Sequence, residues 1–60
     1  MKLKDLISVI DDDNTLLNII TESRQWLYVG KAVFITSDLL ERTVNGIDII
    51  RNEFFIVTED

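Results

Sequence analysis

The stretch Glu53-Phe54-Phe55-Ile56-Val57-Thr58 decides the fold. Four consecutive large apolar residues leave neither face of an extended strand free for water. Side chains alternate along a strand, so Phe54 and Ile56 line one face while Phe55 and Val57 line the other. The stretch therefore predicts a central strand covered on both sides. The chain's own helices can supply one cover, and a second copy is expected to supply the other.

Working outward, the whole chain has 60 residues, 47% of them apolar, with no Cys and no His. A domain of this size buries only about 60% of its unfolded surface, and small folds compensate with disulfides, metals or oligomerisation. The first two lack their usual ligands here, which leaves oligomerisation. Eleven acids against six bases give a formal charge of −5, a field that repels phosphate backbones and anionic membranes. Direct nucleic-acid and membrane binding are not expected. No apolar run approaches the roughly 20 residues that span a bilayer, so the chain reads as soluble and cytoplasmic.

Leu3, Leu6, Ile7 and Ile10 recur at helical spacing and predict a one-sided helix over residues 2–10. Asp11-Asp12-Asp13-Asn14 ends it, because these side chains compete for backbone hydrogen bonds and negative charge is unfavourable at a helix C-terminus. Residues 15–21 read as a first strand and Gln25 to Val29 as a second, joined as a hairpin through Glu22-Ser23-Arg24. Gly30 marks a bulge or the end of that strand. Thr36-Ser37-Asp38 then starts a second helix of about two turns that ends near Arg42. Val44 to Ile50 reads as a third strand with an irregularity at Gly46. It turns at Arg51-Asn52 into the central strand, in preference to a tight turn at Asn45-Gly46. The result is one α+β domain over residues 1–60, of order α-β-β-α-β-β. Its four-stranded antiparallel sheet carries two short helices on one face, and its open face is expected to form an isologous homodimer.

Chemistry-bearing constellations are few. Asp11, Asp13, Thr15 and Glu22 fall at positions one, three, five and twelve of a calcium-loop register, but Leu16 stands where that loop needs Gly. Three adjacent exposed aspartates lack the contrasting environments that separate the pKa values of an acid–base pair. Without His or Cys the common nucleophilic triads are excluded, and the serines have no evident base beside them. The expectation is a non-enzymatic protein with no cofactor and no metal. Trp26 and Tyr28, two apart, are expected to share a strand face. With Phe54, Phe55, Ile56 and Val57 they form the candidate interface. Asp11, Asp12, Asp13, Glu59 and Asp60 form a candidate acidic docking surface.

The opening Met1-Lys2-Leu3-Lys4-Asp5-Leu6-Ile7, the aspartate turn, Tyr28-Val29-Gly30-Lys31, Asp38-Leu39-Leu40-Glu41-Arg42 and a final strand pair together resemble small acidic accessory proteins of bacteriophages and mobile elements. The likeness of layout spans most of the chain. Some proteins of that kind inhibit bacterial defence systems. The resemblance implies a protein that acts in the host cell by binding a host protein, such as a nucleic-acid-processing defence enzyme. The competing expectation is a self-assembling structural or regulatory oligomer with no host target.

Overall fold

Arg51 and Asn52 both adopt left-handed backbone, with φ of 52° and 67°. Consecutive positive φ values match the twist of the two-residue turns that close hairpins. The computed structural model describes all 60 residues, and here it folds β3 (Val44–Ile50) back onto β4 (Glu53–Thr58). Ile50 pairs with Glu53, Ile49 with Phe54, Asp48 with Phe55 and Ile47 with Ile56. The register then slips between Val44 and Gly46, leaving Asn45 as an extra residue where the irregularity at Gly46 was expected.

β1 (Leu16–Thr21) lies on the other side of β4, and β2 (Trp26–Lys31) pairs with β1, so the sheet order is β2-β1-β4-β3. The stretch read as central is central. One expectation is corrected: the sheet is mixed instead of antiparallel, because β1 and β4 run parallel, Leu16 beside Glu53 through Thr21 beside Thr58. The cause is the connection between the two hairpins. β2 ends level with Leu16, whereas β3 begins level with Thr58, so residues 32–43 must carry the chain back along the sheet. The second hairpin therefore enters in the same sense as the first, and its last strand matches β1 in direction.

That return runs over one face through a 3-10 turn at Ala32–Phe34 and then α2 (Ser37–Leu40). The first helix, α1 (Leu3–Ile7), packs on the same face. It is shorter than residues 2–10, because Val9 and Ile10 already bond to the carbonyls of Leu6 and Ile7, three residues back. Leu3 and Leu6 of α1, Leu17 and Ile19 of β1, Ile56 of β4 and Ala32 form the core. Lys2 and Lys4 both reach Glu41 just beyond α2, at 2.8 and 3.3 Å, and tie the two helices together. These ion pairs lower the Glu41 carboxyl below its ordinary value and raise Lys2.

Candidate functional site

Residues level with one another across a sheet share a face. On the side away from the helices they form three rows. The first is Lys31, Leu16, Glu53 and Ile50; the second is Val29, Asn18, Phe55 and Asp48; the third is Trp26, Ile20, Val57 and Gly46. No helix covers this face. Trp26 is 59% exposed, Val29 66% and Ile50 52%, while Phe55, Val57 and Ile20 are half-buried by their neighbours. Scattered apolar residues are ordinary on protein surfaces; here Trp26, Val29 and Ile50 surround the half-buried Ile20, Phe55 and Val57 on one face.

A groove crosses the face from the β1–β2 turn to β3. This groove of about 470 Å³ has Ile20, Phe55, Val57 and Ile50 as its apolar floor and Glu22, Arg24 and Asp48 at its rim. Beside it Gly46 offers no side chain, and a Cβ added there would meet only Val57 Cβ, at 3.8 Å. Asn45 donates a hydrogen bond to the Glu22 carboxylate. Asn18, though buried, is satisfied: its Nδ2 donates to Glu53 Oε1 at 3.0 Å. Arg24, Lys31 and Asp48 form no ion pair within the chain.

The six candidate interface residues divide between the two faces. Trp26, Phe55 and Val57 are on the open face, whereas Tyr28, Phe54 and Ile56 lie on the helix side. Ile56 is fully buried in the core and is not available to a partner. The expectation that Trp26 and Tyr28 share a face is corrected by a bulge. Ile19 pairs with Tyr28 and the next residue, Ile20, with Trp26, so Leu27 is extra and the alternation resets. Both Leu27 and Tyr28 pack against the core as a result.

The acidic candidates also separate. Asp11, Asp12 and Asp13 are exposed before the start of β1, while Glu59 and Asp60 follow the end of the parallel β4. Six residues of strand, roughly 20 Å, keep the two groups apart. The same strand carries Glu22 away from Asp11 and Asp13, so a calcium loop cannot close around them. No cluster of three or more carboxylates is arranged to hold a metal ion. Asp60 has a local role: its Oδ1 accepts from Ser23 N at 3.0 Å and Ser23 Oγ at 2.9 Å. Those bonds hold its carboxyl below the ordinary value.

Sequence reasoning missed Ile20, Glu22, Arg24, Asp48 and Ile50 as parts of one surface. The available signal was the Arg51-Asn52 turn, which fixes the register of β3 and sets Asp48 against Phe55. No helix is long and apolar enough to cross a membrane. No protein-family model, curated protein or solved structure matches this chain.

Proposed function

We propose that this is a non-enzymatic binding module that works through protein–protein contact, with the open sheet face as its contact surface. The observation that carries this reading is the contiguous apolar face itself, with Trp26, Val29 and Ile50 more than half exposed and a groove beside them. Large aromatic side chains flanking a concavity are the usual anchors of protein interfaces. The resemblance to phage accessory proteins would make a foreign partner a host protein, and the charge of −5 favours one with a basic surface.

Affinity capture from a bacterial lysate at moderate salt tests the reading, using the intact protein and a Trp26→Ala, Val29→Ser double variant. Both positions are exposed, so the variant should keep its circular dichroism spectrum. The reading requires that contacts made by the intact protein, with itself or with another protein, are lost in the variant. Contacts that survive the change unaltered would refute it.

A second reading, a self-assembling oligomer, is favoured by a specific observation: Lys31 and Trp26 stand at one side of the open face, and Asp48, Glu53 and the side-chain-free Gly46 at the other.

A further inference from the structure

The open face is polarised across its strands. Lys31 and Trp26 stand on β2 at one side, and Asp48, Glu53 and the side-chain-free Gly46 stand on β3 and β4 at the other. We infer that this face is the seam of a homodimer whose two-fold axis runs along the strands, laying β2 of each copy over β3 of its partner. The inference rests on the open face being a contact surface and names its occupant.

A half-turn about an axis along the strands keeps each row level and exchanges its ends. In the third row Trp26 of one copy then covers Gly46 of the other, beside the groove. The bulkiest exposed side chain thus meets the place where side chains are missing. In the same row Ile20 meets Val57. In the first row Lys31 lands over Ile50, beside Glu53 and Asp48, and it gains the acids it lacks at home. Each contact occurs twice, as an isologous interface requires. A two-fold that instead runs across the strands through the middle row sets Asp48 directly on Asp48 of the partner subunit. Like charges brought together in this way oppose docking.

Area favours use of the whole face. The molecule's two longest extents are 28 and 24 Å, which caps a flat contact at roughly 650 Å² of projected area, below the ~800 Å² per partner of standard stable interfaces. A dimer that used only part of this face would fall in the weak class. Sheets stack about 10 Å apart, a gap that Trp26, Phe55 and Ile20 are long enough to fill.

Sedimentation velocity of the intact protein and of charge variants tests the seam. The intact protein is expected to sediment as a dimer. Lys31→Glu alone and Asp48→Lys alone should each weaken association by about tenfold or more, since each sets like charges together across the seam. An equimolar mixture of these two single variants should recover dimers. In the mixed pair the acid introduced at position 31 of one copy meets the amine introduced at position 48 of the other, and the native Lys31 meets the native Asp48. β1 and β4 separate these two positions within one copy, by roughly 14 Å, so recovery on mixing has no intramolecular explanation. Failure of the mixture to associate would overturn the arrangement, as would a dimer indifferent to Trp26→Ala and to both charge reversals. A protein that stays monomeric at every concentration would also overturn it. If that monomer still captured a lysate protein in a Trp26-dependent way, the contact surface would stand and the dimer seam would be overturned.

Discussion

Phe54 and Phe55 are adjacent in sequence and serve different surfaces. Phe54 packs against the core beneath the helices, and Phe55 forms part of the groove floor on the open face. Phe54→Ala should lower the stability of the protomer by about 2–4 kcal/mol, somewhat reduced from a full core truncation because the ring is half-buried. Phe55→Ala should lower the stability of the protomer by less, since its half-buried ring touches neighbours on the sheet alone, and should act mainly on association. Equal losses for both at low concentration would contradict this division. Gly30 shows another single-residue constraint. Tyr28 arches over it and donates its hydroxyl to the Lys31 carbonyl at 2.6 Å, so a Cβ at position 30 would lie 3.0 Å from that hydroxyl. Gly30→Ala should displace the ring and lower the thermal midpoint, whereas Gly30→Ala combined with Tyr28→Leu should recover part of the loss. Asp60 gives a pH dependence of definite sign. Its folded-state carboxyl titrates below the ordinary 3.8, so its stabilising contribution is complete above that value and disappears as pH falls through the lower one. The Ser23 amide should therefore lose protection from hydrogen exchange only in strong acid, and Asp60→Ala should remove that dependence.

At the scale of elements, strand positions were legible because each strand has its own local signal. The continuous apolar run fixes β4, the branched residues from Thr15 to Thr21 fix β1, and the Arg51-Asn52 pair ends β3. What sequence could not provide was direction and parity. The parallel pairing of β1 with β4 is set by where the connector through α2 returns, a property of chain path and not of any strand's residues. The flip that separates Trp26 from Tyr28 comes from a bulge at Leu27, where apolar residues on both sides leave the alternation ambiguous. The candidate site was half legible for the same reason: Trp26, Phe55 and Val57 followed from composition, but Asp48 and Ile50 needed the register. The turn is the easiest element to improve. Arg51 and Asn52 both hold positive φ, a conformation that costs about 1 kcal/mol for most side chains and nothing for glycine. Asn52→Gly should therefore raise the thermal midpoint by a few degrees in a scanning calorimeter, with no change in oligomeric state. A fall in the midpoint would mean that the Asn52 side chain contributes more than its backbone strain removes.

For the whole molecule, a radius of gyration of 10.2 Å matches the roughly 10 Å expected of a compact 60-residue chain. The protomer is fully collapsed, yet only nine residues are buried, six of them apolar. A core this small rarely supplies more than about 3–5 kcal/mol, and the open face, where Ile20, Phe55 and Val57 are only half-buried, adds less than it would if covered. Stability and association should then be linked by mass action. The proposed strand-parallel two-fold would leave strand direction unchanged and so would gather the Asp11–Asp13 turns of both copies at one end of the dimer. A basic partner docking there would meet two acidic turns held by one rigid body, a bivalent arrangement that one copy cannot offer. Thermal unfolding decides whether the linkage holds. If folding requires the second copy, each tenfold dilution should lower the midpoint by on the order of 5 °C, from the unfolding entropy of a pair of about 120 residues. Lys31→Glu should bring the concentrated protein down to the midpoint of the diluted one. A midpoint that does not move with concentration would show that the small apolar core suffices alone, and would separate folding from the seam entirely.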